Sequence, residues 1–193
     1  GTDSQRIIFT SAKDDTVGGD SNGDKTASWP LPGDWGRIYF GDSSADPFTR
    51  LKYAEVRFAG KKGTSVVDGV YIDSASPLLE NNLIVQNAGF GVHLRNQATP
   101  TLRNNLILDN QSGGVTLEQT SAGLFEGNQF WGNSGYAVFM DGSCYPTFVG
   151  NLPHYNENNG ARVAGKMTFN QTWRPNLTYV IDQPLSVEAG AQL

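Results

Sequence analysis

A single cysteine, Cys144, stands in 193 residues, which excludes a disulfide framework and leaves a thiol of the kind that ordinarily fills a core as a small hydrophobe. Histidine is nearly as scarce. Neither His93 nor His154 falls in a recognisable relation to Cys144, so a cysteine nucleophile is not expected. No apolar run approaches the roughly 18 residues that a bilayer-spanning helix needs, so membrane insertion is not expected either. Positive charge is outnumbered: 14 Lys and Arg against 19 Asp and Glu give a net charge of -5. A nucleic-acid partner, which demands a basic face, is therefore not expected. The hydrophobic share of 38% is low, but it suffices for one core if the apolar residues line up. What the chain has in quantity is glycine, 23 residues, with much Asn and Asp, and these point to turns rather than long helices.

Those turns recur on a fixed beat. The stretch "NNLIVQNAGFGVHL" begins at Asn81, and "NNLILDNQSGGVTL" begins 23 residues later at Asn104. Asn82, Asn105, Asn128 and Asn151 keep that interval, as do Asn87, Asn110, Asn133 and Asn156. Apolar positions follow it: Leu79, Leu102, Phe125 and Phe148; Ile84, Ile107 and Phe130; Val92, Val115 and Val138; Leu94, Leu117, Met140 and Val163. Each unit divides into segments of three to five residues bounded by Asn, Gly or Pro, too short for helices. The leucine-rich-repeat signature is absent. The remaining arrangement is a coil of three short parallel strands per turn, successive turns about 4.8 Å apart. Stacked turns place each Asn above its equivalent, so a ladder of side-chain amides is expected. Asn also suits the left-handed conformation that a sharp bend requires.

The four units of residues 77–163 resemble right-handed parallel β-helix repeats of the pectate-lyase-like superfamily, in which "N-x-I-x-x-N-x-x-x-G-V-x-L" is the recurrent coil. The resemblance implies an all-β fold, a single-stranded right-handed parallel β-helix of about 23 residues per turn. One segment over 1–193 is expected: irregular turns with insertions in 1–76, regular repeats in 77–163, and a tail over 164–193. Upstream, "LKYAEVRFAG" alternates like one strand, and Gly69, Val70 and Ile72 match Gly91, Val92 and Leu94. "WGRIYF" and "RIIFTS" supply further strands, with insertions between them that should protrude as loops. The string "I-x-F-T-S-x-x-D-D … G-G-D-x-N-G-D … W-G-x-I-x-F" is similar to β-helix regions of large secreted or cell-surface bacterial proteins. That resemblance implies an extracellular or cell-surface location. Both ends read as mid-coil strands without a capping helix, so neighbouring copies or segments are expected to meet them end to end.

Three constellations are candidates for chemistry. Asp14, Asp15, Asp20, Asn22 and Asp24 cluster in a Gly-rich loop, and hard oxygen ligands of this kind suit calcium. The "D-x-N-x-D" spacing matches half of an EF-hand, but Lys25 replaces its glycine and Leu31 its final glutamate, so any site is irregular. Asp73, Arg95, Glu118 and Asp141 form an outward column, as Glu80, Arg103 and Glu126 do. Alternating charge one rung apart is ordinary cross-strand pairing, and polysaccharide lyases of the resembled superfamily use such carboxylates and a nearby Arg in catalysis. Trp131, His154 and Tyr155 make an aromatic group suited to a sugar ring, or to packing beneath the inserted loops. The expectation is a structural or adhesive solenoid module that extends a rod and binds polysaccharide through Asp73, Arg95, Glu118, Asp141 and Trp131. It has no catalytic residue of its own; the alternative is a calcium-dependent polysaccharide lyase or other carbohydrate-active enzyme.

Overall fold

The computed structural model describes residues 1–44, 48–175 and 177–193. It is a parallel solenoid, in which each turn contributes one strand to each of three sheets. The six-stranded sheet stacks Ile7–Phe9, Ala54–Arg57, Leu83–Val85, Leu106–Leu108, Gln129–Trp131 and Leu152–His154. The large sheet stacks Ile38–Phe40, Val70–Asp73, Phe90–Arg95, Gly113–Leu117, Tyr136–Asp141 and Asn158–Met167, then Tyr179–Val180 and Leu185–Val187 beside the last of these. The five-stranded sheet runs from Arg50–Lys52 through Leu78–Glu80, Thr101–Arg103 and Leu124–Glu126 to Thr147–Val149.

The register is that of the sequence interval. Leu102 pairs with Leu79 and Phe125, Ile107 with Ile84 and Phe130, and Val115 with Val92 and Val138. All of these side chains are fully buried. Each removes enough apolar surface from water to contribute roughly 1.5 to 3 kcal/mol, and the stack forms one continuous core.

The two asparagine columns are ladders. Asn105 Oδ1 accepts from the Asn82 N–H at 3.0 Å and from Asn82 Nδ2 at 2.9 Å, and the pattern repeats through Asn128 and Asn151. The Asn87, Asn110, Asn133 and Asn156 column does the same. Its last member is closed by Asn159 Oδ1, which accepts from Asn156 N–H at 2.9 Å and from Nδ2 at 3.0 Å.

Two expectations need correction. The left-handed residue of each bend is not the ladder asparagine but the residue before it: Tyr53, Asn81 and Asn104 at φ 51°, 57° and 52°, then Gly127 and Gly150. A ladder asparagine must aim both its amide and its own N–H along the stack, so the turn in chain direction falls on its neighbour. For the same reason "LKYAEVRFAG" is not one strand. Tyr53 occupies that bend, and the segment breaks into Arg50–Lys52 in one sheet and Ala54–Arg57 in another.

The ends differ. At the N-terminal end Ile7, Ile8 and Phe9 are exposed along an open strand edge. At the other end Leu177 is buried and Trp173 stacks on Tyr179 at 4.3 Å against the core. There the final strand of the six-stranded sheet carries Pro153, which has no N–H to offer a further strand.

Candidate functional site

Residues two apart on a strand face the same way, so the large sheet presents two outward columns side by side. One is the predicted set: Asp73 and Arg95 are paired rungs, and Glu118 and Asp141 continue the column below them. The other runs through Tyr39, Tyr71, His93, Thr116, Phe139 and Arg162. This second column is not singled out in the sequence, where the columns are traced by charge and the aromatic group is sought at Trp131, His154 and Tyr155. Its signal was available, since Tyr71 and His93 lie two residues before Asp73 and Arg95.

Above these columns stands the "KKGTSVV" insertion, an antiparallel hairpin pairing Lys61–Lys62 with Ser65–Val66. Between hairpin and sheet lies a groove of about 590 Å³, lined by Arg37, Tyr39, Lys61, Lys62, Tyr71, Asp73 and Arg95. Tyr39 and Tyr71 stack at 5.7 Å, and the Arg37 guanidinium sits 4.0 Å over the Tyr71 ring. Arg95 Nε donates to Gln119 Oε1 at 2.9 Å and lies 3.9 Å from Glu118 Oε2. The Tyr71 hydroxyl, with Glu118 and Asp73, pushes the Arg95 pKa further up, so the guanidinium is charged at any relevant pH. Burial pushes the Asp141 carboxyl up, and the Glu118 charge adds to the rise. Asp73 is engaged by Asn96 Nδ2 at 2.7 Å and by the Tyr39 hydroxyl at 3.3 Å.

Beneath the groove, His93 Nδ1 lies 2.7 Å from Asp68 Oδ2, while Asp68 Oδ1 accepts the Phe90 N–H at 3.0 Å. The Tyr71 ring meets the imidazole edge-on at 4.8 Å. His93 Nε2 is buried, makes no hydrogen bond among the described residues, and is 3.5 Å from Glu118 Oε2. The second charged column behaves as a pairing ladder: Arg103 bridges Glu126 at 2.8 Å and Glu80 at 3.6 Å, and Lys52 reaches Glu80 at 2.6 Å.

Trp131 does not join the groove. It lies on the outer face of the six-stranded sheet, 5.0 Å from the rings of both His154 and Tyr155, and it is exposed rather than covered by an insertion. Trp35, by contrast, packs against the core and donates Nε1–H to Arg57 O at 2.8 Å. A second cavity, about 320 Å³ at the C-terminal end between Tyr145 and Trp173, has neither carboxylate nor imidazole in its lining.

The acidic loop divides. Asp14 is turned inward, where its carboxylate takes hydrogen bonds from Arg57, Thr10 and Thr16. Asp15, Asp20 and Asp24 converge, with one carboxylate oxygen of each within 4.8 Å of the others. Asn22 serves them as a donor, from Nδ2 to Asp24 Oδ2 at 2.9 Å. Asp15 Oδ1 and Asp24 Oδ1 are buried without a hydrogen-bond partner among the described residues. Burial and the charges of Asp20 and Asp24 push the Asp15 carboxyl up.

Residues 38–172 match the family model described as right handed beta helix region. No curated protein matches the chain. Among solved structures, a double mutant of the periplasmic alginate epimerase AlgG is similar at 17% identity and a TM-score of 0.55, over 83% of this chain. The chain spans 42% of that protein's length. Another structure of the epimerase is similar at 13% identity and a TM-score of 0.42, over 80% of this chain and 36% of the other.

Proposed function

We propose that this chain, which belongs to the right-handed beta helix family, is an exported solenoid module that holds an acidic polysaccharide in the groove on its large sheet. One observation carries the reading. In a chain of net charge -5, Arg37, Lys61, Lys62 and Arg95 converge on one groove that contains a single carboxylate, Asp73. Arg37, Lys61 and Lys62 have no ion-pair partner among the described residues. Cations in such a cleft focus the potential that draws an anionic chain, and the stacked Tyr39 and Tyr71 offer aromatic surface to sugar rings. The structural neighbour's name, a periplasmic alginate epimerase, accords with an acidic glycan met outside the cytoplasm. Each turn adds about 4.8 Å of reach. The open N-terminal edge of Ile7–Phe9 supports a rod built with a neighbouring copy or coil.

Titration calorimetry with a polyuronate oligosaccharide tests the site. Binding is expected to weaken with salt and to fall roughly tenfold or more when Lys61 and Lys62 are both replaced by alanine, equivalent to about 1.4 kcal/mol. Equal binding of a neutral oligosaccharide, or no change in the double variant, would sink the reading.

A second reading, an enzyme on this fold, is favoured by the His93–Asp68 pair. A carboxylate that orients an imidazole and leaves its far nitrogen unbonded is the arrangement of a general base. The proton in question is the one α to a uronate carboxyl, and Arg95 is placed to neutralise that carboxyl. Glu118 has to swing away from Nε2 first. Oligouronate recovered unchanged from the calorimeter supports the binding module. An unsaturated or C5-inverted product that disappears in His93→Gln establishes the enzyme.

Calcium belongs to the same proposal, at Asp15, Asp20 and Asp24. Three converging carboxylates, with one oxygen each of Asp15 and Asp24 buried without a donor, repel one another, and a hard divalent cation removes the repulsion. Millimolar calcium is expected to raise the melting temperature, because a ligand that binds only the folded loop stabilises it. The rise should vanish in Asp15→Asn, and a melting temperature indifferent to calcium leaves an acidic turn and nothing more.

A further inference from the structure

We propose that Asn22–Gly23 is a self-modifying site, at which Asn22 deamidates spontaneously in the folded chain. The reaction needs a backbone nitrogen free to approach the side-chain carbonyl of the preceding asparagine, and this dipeptide meets the requirement. Gly23 has φ +72° and open space where a Cβ would stand, and among the described residues no acceptor takes its N–H. Asn22 is exposed on the same loop, and its Oδ1 takes one long hydrogen bond, 3.3 Å, from the Asp24 N–H, against the two shorter ones that hold Asn159. The Gly23 nitrogen attacks Asn22 Cγ, forming a five-membered succinimide; Nδ2 leaves as ammonia, carrying the amide proton. Water then adds to either ring carbonyl and opens the ring to aspartate or isoaspartate, releasing one proton. No oxidant, reductant or enzyme enters the balance.

The chain contains an internal comparison, since Asn159–Gly160 is the same dipeptide in a different setting. Asn159 Oδ1 is tied by Asn156 at 2.9 and 3.0 Å, and Gly160 lies within the Asn158–Met167 strand. A Cβ there would meet Thr178 O at 2.8 Å, so the neighbouring chain packs closely on the Gly160 backbone and resists the rotation that brings its nitrogen to Asn159 Cγ. Asn159 is exposed too, so the difference lies in the backbone: a loop samples reactive geometries freely, whereas a paired strand must first open.

The product changes the loop. Asn22 Nδ2 is shared between Asp24 Oδ2 and Ser28 Oγ, both at 2.9 Å. Deamidation removes that donor and sets a fourth carboxylate beside Asp15, Asp20 and Asp24. Resting on the calcium reading, the aspartate form is then the better cation site.

Peptide mapping by mass spectrometry, on the full chain aged at mildly alkaline pH, tests the proposal. Asn22 is expected to convert roughly tenfold or more faster than Asn159 while the chain is folded, and the two rates should converge in urea. Equal rates in the folded chain, or an unreacted Asn22, would overturn it. The consequence is read separately. Asn22→Asp should bind calcium several-fold tighter than the parent chain; unchanged binding removes the link to calcium, while the mapping alone decides the modification.

Discussion

Replacing Asn105 with alanine is expected to destabilise the protein by about 3 to 6 kcal/mol, while replacing Asn104, its neighbour in the same doublet, with glycine changes stability by less than about 0.5 kcal/mol. The two residues differ in what they hold. Asn105 is buried; its Oδ1 takes both the N–H and the Nδ2–H of Asn82, and its Nδ2 donates to Leu79 O and to Asn128 Oδ1, each at 2.9 Å. Alanine there removes four hydrogen bonds, each worth roughly 0.5 to 1.5 kcal/mol net, and leaves the Asn82 N–H without its acceptor in the core, while Asn82 Nδ2 keeps Leu51 O and Asn128 Oδ1 keeps the backbone N–H of residue 105. Asn104 is exposed and its contribution is its φ of 52°, a conformation that glycine adopts without strain. Urea unfolding of the two variants measures the contrast. Similar midpoints would mean that the ladder is decoration on a core held by apolar stacking alone.

Because the stack couples each turn only to its neighbours, the damage should be local. Amide exchange in Asn105→Ala is expected to quicken first in Leu79, Asn82 and Asn128, the residues that share its bonds. The edges at Ile7–Phe9 should be little affected.

The same periodicity explains what could be read without coordinates. A solenoid converts an interval in sequence into a column in space, so Leu102 under Leu79 and Asn105 under Asn82 follow from counting. Counting fails where the interval is broken. Five residues beyond the usual period separate Glu55 from its partner Leu83, since 83 - 55 = 28 where the regular turns give 106 - 83 = 23. The excess is taken up by the Lys61–Val66 hairpin. That hid Tyr53 as a bend, because a tyrosine gives no local sign of a left-handed conformation in place of Asn81 or Asn104. The groove was hidden for a related reason: Lys61 and Lys62 reach it from an insertion whose direction no repeat dictates. The His93–Asp68 pair joins residues 25 apart across adjacent turns, near the period but off any one column. A register of identical positions does not see such diagonal contacts.

The largest effect outside the repeats should come from Arg57. Its Nε donates to Asp14 Oδ2 at 2.8 Å, with further bonds to Glu55 at 2.9 Å and Thr16 at 2.8 Å, and Asp14 itself is almost wholly buried. This contact fastens the long insertion to the second turn. Arg57→Ala leaves a buried carboxylate without its cation, a loss of about 3 to 5 kcal/mol at neutral pH. The pH dependence distinguishes this cause from a mere loss of packing. In the parent chain burial acts to raise the Asp14 pKa, but hydrogen bonds from Thr10, Thr16 and Arg57, and the Arg57 charge, more than offset it, and the carboxyl is lowered. A folded-state pKa below the unfolded value contributes stability that is present above about pH 4 and lost as pH falls through the folded value. Without Arg57 only the Thr10 and Thr16 hydrogen bonds still oppose burial, so the folded pKa moves up toward the unfolded one and the loss of stability on acidification shrinks. The variant should therefore recover part of its deficit on acidification, over the range where the parent loses stability. Denaturant midpoints of both proteins from about pH 7 down to pH 3 are the measurement, and Arg57→Lys, which keeps the charge, should lie between them. A deficit that stays constant over that range would show that Arg57 acts by packing over Phe58 and not by neutralising Asp14.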